Sequence, residues 1–269
     1  MLKSKVFVFV VLILFLLFPF SAFSHTLWIN VTNFNPKFYP EYGSSTKIYF
    51  GWGHRYPVDD FISTASLNEI SLIHPYGKKE NITPNEGQFL ATKINFKKPG
   101  SYIVSTVKKP GFYTMYIDNG KVRHKLGPKT GLKGVITSLY YEQYAKALIN
   151  VGQEDLTNFD KPVGHKLEII PLKNPYKLDG SGGHFLPVKV LYDGKPAKYC
   201  KIYATYMGFS TRDDFAYSTF TDSMGIAKIR LTHWGPWLIK ANMELPASGD
   251  LKDKCNKLNY TATLTFEVP

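Results

Sequence analysis

Two of the seven histidines in this 269-residue chain stand where a metal-binding reading can start. His25 follows Ser21-Ala22-Phe23-Ser24, and the stretch ahead of it has the build of a secretory signal. Lys3 and Lys5 precede an apolar run from Val6 to Phe20, Pro19 breaks the run, and Ala22 and Ser24 supply the small residues of a cleavage site. Cleavage after Ser24 would make His25 the first residue. A free N-terminal histidine offers its α-amine and its ring Nδ1 to one metal ion, closing a small chelate ring. An ordinary α-amine, with a pKa of ~7.7–8, and an ordinary imidazole, at ~6.5, both shed a proton cheaply near neutral pH. Imidazole nitrogen suits nickel, copper, zinc and cobalt. One histidine at a chain start also arises by chance, so the reading requires further ligands.

His54 is the first of these. It sits in Gly51-Trp52-Gly53-His54-Arg55-Tyr56-Pro57, where an expected strand ends in a glycine-rich loop able to aim a side chain. His184, in Gly180-Ser181-Gly182-Gly183-His184, and His233, beside Trp234, are the candidates for a third ligand from the second half of the chain. Asp59 and Asp60 offer an oxygen ligand or a partner for a ligand, and read equally as loop charges. His74 reads as a turn residue, and His124 is crowded by Lys121, Arg123 and Lys125. His165 alternates with Leu167, Ile169 and Pro171 and reads as structural. No His-Glu-x-x-His, Cys-x-x-Cys or close histidine pair is present, and neither is a nucleophile elbow, a phosphate loop or a dinucleotide fingerprint. No catalytic residue is assigned, and the chain is expected not to be an enzyme.

The elements that must position these residues read as strands. Aromatic residues reach 15%, which favours strands over helices. Short alternating stretches at 28–31, 45–50, 66–74, 89–96, 100–107 and 111–117, separated by Pro/Gly turns, predict a β-sandwich. Residues 138–151 break the pattern: Tyr140, Tyr144, Ala147, Leu148 and Val151 recur at helical spacing, and Gly152 follows as a stop. One short helix is expected there. The proline-rich stretch 162–176 reads as the passage into a smaller second sandwich, with strands at 185–192, 199–207, 226–231, 237–242 and 260–268. The expected organisation is a signal peptide (1–24), an N-terminal β-sandwich (25–160) and a C-terminal β-sandwich (161–269).

The formal net charge is +12, but the lysines and arginines are scattered, so a solvated surface is expected and nucleic-acid binding is not. No second apolar run is long enough to span a bilayer, so no transmembrane segment is expected in the mature chain. Cys200 and Cys255 are the two cysteines, and in an oxidising compartment they are expected to form a disulfide.

Several phrases together resemble a family of bacterial periplasmic proteins described as components of cobalt or nickel uptake systems. They include His25-Thr26-Leu27-Trp28-Ile29, Gly53-His54 ahead of an aromatic-Pro pair, and Tyr141-Glu142-Gln143-Tyr144-Ala145-Lys146-Ala147-Leu148. Gly164-His165-Lys166-Leu167-Glu168-Ile169-Ile170-Pro171-Leu172 follows, then Asp193-Gly194-Lys195-Pro196, Gly235-Pro236-Trp237-Leu238-Ile239 and Thr261-Ala262-Thr263-Leu264-Thr265-Phe266. The resemblance covers the chain from His25 to the end. It implies two immunoglobulin- or prealbumin-like sandwiches and carries over His25 and His54.

The expected function is a periplasmic or secreted binding or delivery subunit for a divalent transition metal, nickel or cobalt, serving a membrane metal transporter. Copper and zinc fit the same ligands. Two alternatives stay open. One is a copper-dependent oxidative enzyme, since an N-terminal histidine plus a second histidine is also the ligand set of copper mono-oxygenases that attack polysaccharides. The other is a metal-free cell-envelope interaction module.

Overall fold

Ser44–Gly53 shows how this sequence makes strands. Thr46, Ile48 and Phe50 are buried while Ser45 and Lys47, which alternate with them, face solvent, the period-two pattern of a strand with one face on a core. The computed structural model describes residues 25–152 and 158–269. The expected signal peptide lies outside them.

In chain order the first eight strands are β1 (Thr26–Val31), β2 (Ser44–Gly53), β3 (Leu67–Ile73), β4 (Lys79–Asn81), β5 (Thr92–Phe96), β6 (Gly100–Asp118), β7 (Lys121–Lys125) and β8 (Val135–Val151). The other eight are β9 (Leu167–Pro171), β10 (His184–Tyr192), β11 (Lys195–Pro196), β12 (Lys201–Tyr206), β13 (Tyr217–Phe220), β14 (Ile226–Leu231), β15 (Gly235–Pro246) and β16 (Lys257–Val268). The all-β, sandwich-forming fold expected from the strand pattern is the one observed. Among the described residues the only helical pieces are three short 3-10 turns, and no helix is long and apolar enough to cross a membrane.

Three sheets form. One is β1-β2-β5, a second gathers β9, β11 and β14 around β10, and the third has nine strands. The nine-stranded sheet runs β13-β12-β15-β16-β8-β6-β3-β4, with β7 added to β6. Its strands come from both sides of residue 160, and the seam is a parallel pairing of β16 with β8, Lys257 opposite Leu139 through Thr265 opposite Ala147. Strand β1 lies against this seam with all six of its residues buried. Thr263 and Thr265 of β16 donate side-chain hydrogen bonds to the carbonyls of Leu27 and Ile29, at 2.8 and 2.6 Å. The start of the described chain is thereby fixed to its last strand.

Two expectations are corrected. Residues 138–151 are not a helix but most of β8. Its nine residues from Gln143 to Val151 are all buried, because β6 and β16 flank it in the sheet and core covers both of its faces. A strand buried on both faces shows no alternation, so its large residues fell at three- and four-residue steps without a helix. Cys200 and Cys255 do not form the expected disulfide; both are buried free thiols. The Cys200 thiol donates to the Asn242 carbonyl and the Cys255 thiol to the Leu251 carbonyl, each at 3.4 Å. Burial pushes the Cys200 thiol up to about 12, so it stays protonated and unreactive. An even cysteine count permits a bridge, but the placement of the two Cβ atoms decides it.

Candidate metal site

The antiparallel register of β1 and β2 sets Thr26 opposite Gly53. One step further out, His25 and His54 face each other across the strand ends, and such cross-strand pairs stand within side-chain contact. Their rings meet edge to face, with centroids 4.6 Å apart and planes at 89°. Trp52 closes the third side, its ring 5.5 Å from that of His25.

The sequence around this pair builds the corner it needs. A Cβ at Gly51 would run into the ring of Trp28, its partner in the register. Gly53 has φ +136°, and the Asp59 carboxylate fills the space a Cβ would take. Asp59 accepts hydrogen bonds from the backbone N–H of His54 at 2.7 Å and from Arg55 Nε at 2.8 Å. Burial alone would raise the Asp59 pKa, but these donors hold it below its ordinary value. The Asp59 carboxylate therefore shapes the His54 loop, and the Asp60 carboxylate accepts from the N–H of Phe61. The loop is pinned from the other side by Trp28 Nε1 and Asn30 Nδ2, which both donate to the Pro57 carbonyl at 2.9 Å.

His25 is held by a residue that sequence reasoning passed over. Gln143 of β8 donates through Nε2 to the His25 carbonyl at 2.6 Å and accepts the Leu27 N–H through Oε1 at 3.0 Å. Its buried amide thus stands in for a neighbouring strand at the outer end of β1. Removing it leaves buried backbone groups unsatisfied, at a cost of about 1–3 kcal/mol. Gln143→Ala is therefore expected to lower the melting temperature, read by scanning calorimetry.

A cleft opens beside His54 between the halves of the chain. Thr26, Trp28 and Tyr56 line it on one side, and Thr205, Asp213 and Lys240 on the other. Burial brings the Lys240 pKa down to about 8. The His54 pKa is lowered too, by burial first and then by the neighbouring His25 and Lys240, against which Asp59 and Asp213 act in the opposite direction. Burial and the two cationic neighbours both favour the neutral ring, the form that can donate a lone pair. The second-half residues of the cleft carried no signal in the sequence, because only the folded register brings them to His54.

The other expected ligands are placed elsewhere. His184, at the start of β10, pairs through Nε2 with Asp179 at 2.9 Å. His233 stacks on Tyr206, with ring centroids 4.0 Å apart and planes 9° from parallel. Among the described residues no three His, Cys, Asp or Glu side chains gather to hold a metal ion. Of the four candidates the structure brings together His25 and His54 alone. His165 is half-buried against the Ser105 hydroxyl at 2.8 Å, with its pKa pushed down to about 4 by desolvation and the Lys146 charge.

Fold and site together define an all-β sandwich protein with a paired-histidine corner at the outer end of its first strand. The chain belongs to the family described as domain of unknown function (DUF4198), matched over residues 22–245. No curated protein matches it. Among solved structures it is similar to the D0–D1 domain of intimin, at 14% identity over 89% of this chain and 97% of that one, with a TM-score of 0.22. It is also similar to native α2-macroglobulin from Escherichia coli spanning domains NIE–MG1, at 6% identity over 89% and 98%, with a TM-score of 0.21. Fibronectin(III)-like modules of Clostridium thermocellum CbhA show 9% identity over 89% and 94%, with a TM-score of 0.20. At TM-scores this low the fold is read from the strands themselves.

Proposed function

We propose that the mature chain begins at His25 and binds one divalent transition metal through the His25 amine, the His25 ring and the His54 ring. It then acts as the periplasmic binding or delivery subunit of a membrane system that takes up nickel or cobalt. The observation that supports this most is the perpendicular contact of the two imidazoles, 4.6 Å between centroids. At that separation both rings stand within reach of a single ion. A set of three nitrogens with no carboxylate favours borderline ions over magnesium or calcium. Three ligands also leave coordination positions for water or for a receiving protein, as delivery requires.

Each ligand must be neutral to bind, so affinity falls as protons compete. Nickel affinity is expected to weaken steadily from pH 8 to pH 5, measured by titration calorimetry. A flat profile over that range would contradict imidazole and amine ligation. His54→Ala removes one of three ligands and is expected to weaken nickel binding about tenfold or more, with the fold retained because His54 lies in a surface loop. Copper binds such a site tightly whatever its purpose. Peroxide formation or sugar oxidation by the copper-loaded protein with a reductant would replace delivery by an oxidative enzyme.

A further inference from the structure

Beyond Lys108, strand β3 no longer accompanies β6. From there β6 continues with β7 on one side and the first residues of β8 on the other, Gly111 opposite Tyr141 and Tyr116 opposite Val135. Strand β16 joins β8 only from Leu139 onward. The result is a three-stranded extension of the nine-stranded sheet, an arm closed at one tip by the turn Asn119-Gly120, whose positive φ values of 48° and 72° suit a tight hairpin. It is tied to the body at its β7–β8 loop, where the Lys129 N–H donates to the Lys254 carbonyl at 2.8 Å.

The surface of this arm is unlike that of a solvated hairpin. Leu126 is 87% exposed, Val122 54%, Ile117 50% and Ile136 49%. Val122 and Ile117 are direct cross-strand partners and share one face. Residues 111–137 carry five cations, Lys121, Arg123, Lys125, Lys129 and Lys133, against a single acid, Asp118. None of the five is ion-paired with another described residue. Lys121, Arg123 and Lys125 alternate with Val122 along β7, so the strand has one basic face and one carrying the aliphatic side chain.

We propose that this arm docks the protein on an anionic phospholipid bilayer. The aliphatic side chains enter the boundary between headgroups and acyl chains, and the cations lie at the level of the phosphates. That combination of exposed aliphatic and basic groups is what binds proteins to the plane of an acidic membrane. An acidic protein surface would engage the cations but leaves Leu126 and Val122 without a counterpart. The root of the arm also adjoins the paired histidines. Lys108 lies over the rings of both Trp52 and Tyr141, at 5.1 and 4.6 Å, and Trp52 contacts His25. Tyr141 and Val135 are six positions apart along β8, about 20 Å at strand rise, so a docked arm holds His25 near the bilayer.

The test is co-sedimentation of the mature protein with vesicles of phosphatidylcholine alone or with about one quarter phosphatidylglycerol. Partitioning is expected to be at least about tenfold stronger on the anionic vesicles and to collapse at high salt, where charges are screened. Lys121→Glu with Arg123→Glu and Lys125→Glu is expected to lose at least about tenfold, and Val122→Ser with Leu126→Ser, which keeps every charge, a comparable factor. Nickel titration of the same variants is expected to match the parent, which separates failure of docking from failure of the metal site. Equal binding to both vesicle types, no binding to either, or salt-insensitive binding would overturn the proposal. No vesicle binding would leave the arm to an acidic protein partner.

Discussion

Adding one alanine ahead of His25 in the mature protein is expected to weaken nickel binding at least about a hundredfold, or some 2.7 kcal/mol. The extension leaves every side chain in place. It turns the His25 amine into an amide, which has no basic lone pair, and moves the new amine out of reach of the ring. A tridentate site thereby becomes two separate imidazoles, and the gain from having amine and ring on one residue disappears. The fold is expected to be unaffected. β1 begins at Thr26, and the contacts that hold it run from Gln143, Thr263 and Thr265 to backbone atoms of His25, Leu27 and Ile29. Titration calorimetry on both forms decides the matter. Equal affinities would mean that His25 contributes only its ring, or that the metal lies elsewhere.

Glu168→Gln is expected to destabilise the protein by about 3–5 kcal/mol. At about 2–4 °C per kcal/mol for a chain of this size, the melting temperature should fall by about 6–20 °C. Glu168 and Lys146 form a buried ion pair at 2.7 Å, their side chains only 2% and 3% exposed. The carboxylate also accepts from the N–H groups of Val163, Gly164 and His165, at 2.7, 3.1 and 3.2 Å. It therefore ties central strand β8 to the segment that leads into the second half of the chain. The amide removes the negative charge and leaves the Lys146 ammonium buried against a neutral group. Lys146→Met should cost less, because three backbone donors still hold the carboxylate.

The pH dependence follows the same pair. Burial pushes the Glu168 pKa up, but Lys146 and the N–H donors outweigh it and hold the pKa below its ordinary value. A carboxylate depressed in the folded state stabilises above its unfolded pKa of about 4.3, and that stability is lost as pH falls through the folded value. The parent should therefore keep its melting temperature down to about pH 5 and lose it below the carboxylate range. Scanning calorimetry that shows Glu168→Gln melting within a degree or two of the parent would contradict this account.

The fold was legible wherever a strand had one wet face. β2, with Thr46, Ile48 and Phe50 alternating against Ser45 and Lys47, announces itself. β8 did not, because burial on both faces removes the alternation that marks a strand. β7 was missed because a strand of Lys121-Val122-Arg123-His124-Lys125 has no core-facing residues to read. The parallel seam of β8 and β16 joins positions more than a hundred residues apart, and no local pattern records it.

The site divides in the same way. His25 and His54 stood out by position, one after the expected cleavage signal and the other between a Gly-Trp-Gly corner and a proline loop, and the β1–β2 register joins them. Gln143, Asp213 and Lys240 reach the site only through tertiary packing. His233 is in a strand-end loop, as read, whereas His184 is the first residue of β10 rather than part of the glycine-rich loop, and the two are engaged with Tyr206 and Asp179. The disulfide failed for a related reason: composition counts the thiols, and only the fold sets their separation.

Native mass spectrometry of the protein, expressed from its full sequence and mixed with nickel, tests the central claim most directly, because it reads the first residue and the bound ion in one spectrum. The account predicts a chain starting at His25 that carries one nickel ion. A chain starting elsewhere that binds nickel equally well, or a His25-start chain that binds none, would contradict it.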